Sequence, residues 1–328
     1  MKDSQLIFII SQPRSGSTLL QSILSNTPEV NSVSEPWILL PFLNIYDVSL
    51  VEARYNQRVT LNGFFDYIHK THGDLGFKNK LKDFVLSLYQ PLMTEGVRYI
   101  IDKTPRYYQI LPVIKSFFPE AKIILLKRNP LAVINSMLET WGKSGTIADL
   151  APYYEDIMSA PGLIQGFLDD NKDNEDQVME VFYEDLVTES DDRVKKLYDW
   201  LGLVYSSEVL DYSRNKKYQG TMGDPTGVRL NKAPDSKGQD KWKARLENPY
   251  WNDFIRGYIQ AVGENKLRQF GYDPGIPGES SEVFSEYQAN YQTLYYQNLY
   301  KEIDSIKKSV VWRLARPIRW LGDLLIKK

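Results

Sequence analysis

Eight residues, Ser11-Gln12-Pro13-Arg14-Ser15-Gly16-Ser17-Thr18, stand between a short apolar run (Leu6 to Ile10) and an apolar-periodic stretch from about Thr18 to Leu24. A strand leading through a Gly/Ser-rich turn into a helix makes a cradle for an anion. Gly16 lets the backbone turn tightly, and the amides of Ser15 to Thr18 converge on a helix N-terminus whose dipole favours negative charge. Arg14, Ser17 and Thr18 add side-chain donors. A ligand-free, well-capped turn would use the same residue types, so the loop needs a partner before it means chemistry. That partner is a second basic site. The apolar run Ile123-Ile124-Leu125-Leu126 ends in Lys127-Arg128, and Ser136 lies in the helix that Pro130 opens at a position suited to proline. Arg128 paired with a local carboxylate is the plainer reading of that residue alone. Together, the loop, Arg128 and Ser136 ask for a ligand that is anionic at two separated places.

The competing phosphate chemistry is that of nucleotide or small-molecule kinases. Their loop carries a lysine for the terminal phosphates and a hydroxyl for Mg²⁺, in the order G-x-x-x-x-G-K-[ST]. Ser17 follows Gly16 here, so that lysine is missing. A cation at the end of the later strand would also repel Mg²⁺ and attract a second phosphate. No metal ligand set is expected, and metal-dependent phosphoryl transfer is disfavoured.

The elements that must hold these residues alternate. Strands are expected at Leu6 to Ile10, Arg98 to Ile101, Ala121 to Leu126 and Val178 to Tyr183. Helices are expected after Thr18, around Leu111, Ile114 and Phe118, from Pro130, and in a stretch closing between Asp199 and Leu203. This alternation predicts an α/β fold: a central parallel sheet with helices on both faces. A polar loop, Asn215 to Lys243, and a helix from Asn252 to Phe270 follow. Gly271-Tyr272-Asp273-Pro274-Gly275 then closes the core. The stretches Pro36 to Gly76 and Trp141 to Leu168 read as the loops that shape an acceptor pocket.

Composition narrows the chemistry. The chain has 328 residues, 42% hydrophobic and 25% charged, with a formal net charge of −2, which argues against a nucleic-acid partner. It has no cysteine, so thiolate metal sites, disulfides and cysteine nucleophiles are excluded. Only His69 and His72 supply imidazole, so a general base elsewhere is a carboxylate, a lysine or a tyrosine.

On these residues the chain resembles the sulfotransferases that use 3′-phosphoadenosine 5′-phosphosulfate (PAPS), whose 5′-phosphosulfate and 3′-phosphate are the two separated anions. Pro13-Arg14-Ser15-Gly16-Ser17-Thr18-Leu19-Leu20 looks like the family's 5′-phosphosulfate loop. Arg128-Asn129-Pro130 with Ser136 looks like its 3′-phosphate motif. Phe182-Tyr183-Glu184-Asp185-Leu186 is similar to a segment whose tyrosine lies near the adenine. The likeness spans about residues 5 to 272 and is closest to the branch of tyrosylprotein sulfotransferases and many bacterial relatives. That branch implies Glu35, in Ser32-Val33-Ser34-Glu35-Pro36, as general base and Lys103, in Asp102-Lys103-Thr104-Pro105, as the cation that stabilises the transition state. Lys241, in Lys241-Trp242, is the part of the loop 229–245 that best matches a cofactor-covering loop, although its usual Arg-Lys-Gly triplet is absent. The cytosolic sulfotransferases use a histidine instead; His69 and His72 match no catalytic motif and read as surface or helix-end residues.

The resemblance therefore implies a P-loop-like sulfotransferase fold and metal-free in-line transfer of a sulfuryl group to an acceptor hydroxyl, as in polysaccharide modification. A catalytically inactive nucleotide-binding or membrane scaffold protein is the non-enzyme alternative, against which Glu35 and Lys103 both argue. Three units are expected: a catalytic domain over 1–275, then a helical C-terminal extension made of a polar, tyrosine-rich part over 276–306 and a basic amphipathic tail over 307–328. The tail mixes tryptophans and aliphatic residues with arginines and lysines, which suits a membrane interface. Its Trp-Arg-Leu and Pro-Ile-Arg pattern resembles the C-terminal ends of some bacterial glycan-assembly glycosyltransferases. With no apolar run near the roughly 20 residues of a spanning helix, the expected location is cytoplasmic, peripheral at the inner face of the membrane. Neither the acceptor nor the oligomeric state is legible.

Overall fold

The computed structural model describes residues 1–32, 35, 38–39, 67–211, 233–236 and 238–308, the last ten by their backbone alone. Five strands form one parallel sheet: β1 (Leu6–Ser11), β2 (Val30–Ser32), β3 (Tyr99–Lys103), β4 (Lys122–Lys127) and β5 (Val178–Phe182), in the order β2-β3-β1-β4-β5. The helices are α1 (Ser17–Leu24), α2 (Gly73–Tyr89), α3 (Leu111–Phe117), α4 (Pro130–Trp141), α5 (Tyr154–Met158), α6 (Ala160–Asp170), α7 (Tyr183–Thr188), α8 (Ser190–Leu201), α9 (Lys241–Arg245), α10 (Pro249–Val262), α11 (Glu264–Gln269) and α12 (Glu282–Lys308).

Both sheet faces are covered, which is why the central strands read as unbroken apolar runs. On one face Phe8, Ile10, Ile123 and Leu125 pack with Val85 of α2, Ile114 of α3 and Ile164 of α6. On the other, Ile7, Ile9, Ile124 and Leu126 pack with Ile23 of α1, Leu186 of α7 and Leu197 of α8. A third core is helical: Val133 and Met137 of α4 meet Phe254 and Tyr258 of α10 and Phe284 and Tyr287 of α12. The tyrosine-rich stretch thus begins as a packed helix. Among the described residues no helix is long and apolar enough to cross a membrane.

Several boundaries differ from expectation. The stretch 141–168, expected as a loop, is largely helical. Its Pro161 stands in the first turn of α6, where the missing N–H has no helical partner to lose. The helix expected over 252–270 begins instead at Pro249, capped by Asn248, whose side chain accepts the Tyr250 amide at 3.0 Å. It also breaks at Gly263, whose φ of 94° ends α10 before α11. The polar loop 215–243 lies mostly outside the described residues, as does 309–328, but its end enters α9. Two elements had no sequence counterpart: β2 is only three residues long, and α2 opens on Gly73 and Gly76.

The topology fixes where a ligand goes. From β1 the chain winds outward to β2 and back to β3, then crosses β1 to reach β4 and β5 on the other side. The carboxyl ends of all five strands share one edge, and β1 stands where the winding reverses, the usual crevice in open α/β sheets.

Candidate active site

The loop after β1 occupies that crevice. Gly16 caps α1 with φ 92°, a left-handed conformation, and a Cβ there would fall 2.4 Å from Cδ2 of Tyr183. Among the described residues Arg14 is the one non-glycine with positive φ, at 71°. Such a backbone costs on the order of 1–3 kcal/mol and persists only where its surroundings hold it. The Ser15 amide donates to the Gln12 carbonyl at 3.2 Å, and the first amide to find a carbonyl in the helix is that of Leu20, to Gly16 at 3.1 Å. The amides of Ser17, Thr18 and Leu19 are therefore left at the helix mouth. Pro13, Ser15 and Ser17 are buried; Thr18 is half-buried.

At the end of β4, Arg128 closes on this loop. Its Nη1 donates to the Arg14 carbonyl oxygen at 2.9 Å, and its guanidinium lies 4.3 Å from the centre of the Tyr183 ring. Ser136, on α4, accepts from Arg14 Nε at 3.4 Å, a long contact. Burial pushes the Arg128 guanidinium below its ordinary value, with Tyr183 and Glu184 opposing the shift. Glu184 fixes the turn beside it: one carboxylate oxygen accepts the Asn129 amide at 3.0 Å, the other the Tyr272 hydroxyl at 2.6 Å. The helix that carries Lys241 docks on α4 through Arg245, which donates to Asn135, the neighbour of Ser136. Lys241 itself is exposed in the first turn of α9.

Three buried polar atoms around the loop have no hydrogen-bond partner among the described residues: Gln12 Oε1, Ser15 Oγ and Arg128 Nε. Each would ordinarily cost about 1–3 kcal/mol. Their grouping at one strand-end crevice, two of them donors, fits a polar, anionic ligand.

On the other side of β1, Lys103 ends β3. Its side chain is 1% exposed, and Nζ donates to Glu35 Oε1 at 2.6 Å; Glu35 is 17% exposed. A nearly dry ammonium held to a carboxylate that still sees solvent is suited to act on a substrate arriving at that carboxylate. Asp102, wholly buried behind Lys103, accepts from the hydroxyls of Tyr89 (2.5 Å), Thr104 (2.8 Å) and Tyr107 (3.2 Å). Burial nevertheless raises its carboxyl to about 6. Arg106 grips Asp156 through Nε and Nη2 at 2.6–3.0 Å, and the main-chain oxygen of Asp156 accepts from Gln12 Nε2 at 2.7 Å. The loop after β1 is thereby tied to the Lys103 side of the crevice. Desolvation works against the Arg106 cation, but Asp156 and the more distant Glu35 outweigh it and raise its pKa.

The residues singled out from sequence thus gather at one sheet edge, Lys241 standing apart on an exposed turn. His69, 56% exposed and paired with Asp74, and His72, exposed beside α2, lie outside this grouping. The supporting residues Gln12, Asp102, Arg106 and Glu184 lie inside or beside the motifs already quoted, and their adjacency was the signal available. Asp156 and Tyr272 carry no sequence signal; only tertiary packing brings them in.

Comparison with known proteins gives a consistent picture. The profile described as "Sulfotransferase family" matches residues 6–207. The chain is 27% identical over 324 residues to the nodulation protein NoeE of Sinorhizobium fredii, covering 88% of this chain and 73% of that one. It is 25% identical over 285 residues to protein-tyrosine sulfotransferase 1 of Danio rerio, covering 83% and 74%. Among solved structures, the sulfotransferase domain from the curacin biosynthetic pathway superposes with a TM-score of 0.51 at 24% identity, over 72% of this chain and 89% of that one, which bears on the fold.

Proposed function

The chain belongs to the sulfotransferase family, and on that premise we propose that it moves a sulfuryl group from PAPS to a hydroxyl on a glycan, a lipid-linked saccharide or a small metabolite. PAPS supplies the sulfuryl group and departs as the 3′,5′-bisphosphate. The observation that carries this reading is the crevice itself. A cradle whose buried polar atoms lack partners among the described residues, with a second cation, Arg128, stands on one side of β1, and the Lys103–Glu35 pair on the other.

In this reading Pro13, Arg14, Ser15, Gly16, Ser17 and Thr18 hold the 5′-phosphosulfate. Arg128 and Ser136 hold the 3′-phosphate, Tyr183 lies against the adenine, and Lys241 reaches a phosphate from its exposed turn. Glu35 takes the acceptor proton. Lys103 and Arg14 stand where negative charge grows on the departing phosphate oxygen and neutralise it without a metal. The acceptor oxygen–sulfur bond forms as the sulfur–bridging oxygen bond breaks, and the freed proton rests on Glu35. Much of the remaining acceleration comes from holding the two substrates in line.

Calorimetry with 3′-phosphoadenosine 5′-phosphate tests the first half; binding is expected to be unchanged by EDTA. An acceptor screen with labelled PAPS tests the second, and it includes tyrosyl peptides because relatives bear the protein-tyrosine sulfotransferase name. Glu35→Gln is expected to lower turnover by roughly 10² or more with nucleotide affinity nearly unchanged. Turnover that instead required ATP and Mg²⁺ would replace this reading with a kinase.

A further inference from the structure

The stretch bearing Glu35 is held at a second point. Four residues after Glu35, the backbone amide of Leu39, itself buried, donates to the hydroxyl oxygen of Tyr107 at 2.8 Å. Tyr107 is fully buried on the 3₁₀ turn Pro105–Ile110, four residues after Lys103. Its hydroxyl donates to Asp102 Oδ2 at 3.2 Å, with Thr104 also close by. The direction of the chain is therefore fixed wherever Asp102 is ionised. Asp102 only accepts, Tyr107 must donate to it, and the tyrosine oxygen is left to accept from Leu39. Tyr89, on the same Oδ2, and Thr104, on Oδ1, help to hold the carboxylate in place. Glu35 and Leu39 are thus each held from the β3 side, the Glu35 carboxylate by Lys103 at the strand end and the Leu39 amide by Tyr107 on the turn that follows.

We propose that Tyr107, with Asp102 fixing the direction of its hydroxyl, is a positioning residue that sets where the Glu35 carboxylate stands relative to the acceptor. The inference rests on the reading of Glu35 as the base. The ion pair to Lys103 constrains the carboxylate's distance more than its direction. A backbone anchor four residues along the chain limits that freedom. Proton transfer demands hydrogen-bond reach, and a displacement of about 1 Å can cost as much as 10²-fold in rate.

The test is a kinetic cycle in the full chain. Tyr107→Phe keeps the ring and removes the hydroxyl. It is expected to lower kcat by roughly 10-fold or more, while the PAPS KM and the affinity for the bisphosphate nucleotide stay within about two-fold. Single-turnover rates in a Glu35→Gln background supply the readout that general loosening would not move. There, adding Tyr107→Phe is expected to cost little further, because the group it positions is gone. An unchanged kcat in Tyr107→Phe, or an equal loss with and without Glu35, overturns the positioning role. If Tyr107→Phe loses nucleotide affinity, Asp102→Asn carries the same cycle under the same criteria, since it preserves volume but no longer dictates the hydroxyl's direction. Glu35→Gln retaining full activity is a separate result, and it sinks the assignment of the base rather than that of Tyr107.

Discussion

Arg128 donates through Nη1 to the main-chain oxygen of Arg14 at 2.9 Å, while Arg14 reaches back through Nε to Ser136 at 3.4 Å. The residues assigned to the 3′-phosphate therefore also brace the loop assigned to the 5′-phosphosulfate, and they do so at its one left-handed non-glycine among the described residues. Losing Arg128 removes the proposed phosphate contact and an observed brace at once. Arg128→Ala is expected to weaken adenosine 5′-phosphosulfate moderately through the brace. It is expected to weaken 3′-phosphoadenosine 5′-phosphate much more, because only that ligand carries the 3′-phosphate. Parallel calorimetric titrations decide the matter: equal losses would leave Arg128 a brace and nothing else.

Gly16 answers to two constraints together. Its φ of 92° disfavours any side chain, and a Cβ would come within 2.4 Å of the Tyr183 ring, which in turn stacks on Arg128. Gly16→Ala must displace the ring, the loop or both. The expected outcome is at least a roughly 10-fold loss of nucleotide affinity, beyond the 1–2 kcal/mol that a left-handed alanine costs in folding. A variant binding the nucleotide normally would mean that the loop and Tyr183 rearrange without penalty.

The strands and the anion loop were legible because they obey local rules. Leu6 to Ile10 and Ile123 to Leu126 are unbroken apolar runs because both sheet faces are buried, and Gly16 sits where only a glycine turns the chain into α1. Helices rich in breakers were not legible. Pro161 and Gly162 disguise the start of α6, and three-residue β2 falls below any periodicity. At the site, the charged ends of strands announced themselves, but their supports did not. Asp156 reaches Arg106 across 50 residues and Gln12 across 144, and Tyr272 reaches Glu184 across 88. No local pattern encodes such pairings.

Asp102 gives the stability of the fold an unusual dependence on pH. Burial raises its carboxyl from 3.8 to about 6 despite the donors Tyr89, Thr104 and Tyr107 and the neighbouring Lys103. Between those values the folded chain holds a proton that the unfolded chain has released. This group's contribution to stability is therefore lost as pH rises from about 4 to about 6, by on the order of 3 kcal/mol, and is level above that. An ion-paired carboxylate would show the opposite slope. Asp102→Asn removes the titration, so the stability of the native chain relative to the variant is expected to fall across this window in urea unfolding measured at several pH values. A pH-independent difference would mean that Asp102 does not titrate there.

The last prediction concerns residues 309–328, which lie outside the described part of the chain, and it rests on composition. From Lys307 to Lys328 there are seven cationic residues (Lys307, Lys308, Arg313, Arg316, Arg319, Lys327 and Lys328) against Asp323 alone, a formal +6. The whole chain carries −2, so the remainder carries −8 and the basic excess is local. Each cation near an anionic surface contributes up to about 1 kcal/mol, and Trp312 and Trp320 add apolar burial at headgroup depth. Pro317 would limit a continuous helix without preventing two short interfacial segments. The full-length protein is therefore expected to co-sediment with anionic vesicles, less so at high salt, and truncation after Ser309 is expected to abolish this. The cut falls beyond α12, whose packing into the third core is carried by Phe284 and Tyr287 near its start. Nucleotide binding should accordingly survive. A truncated protein that unfolds, or that loses the bisphosphate nucleotide, would make the tail part of the fold and refute a membrane role.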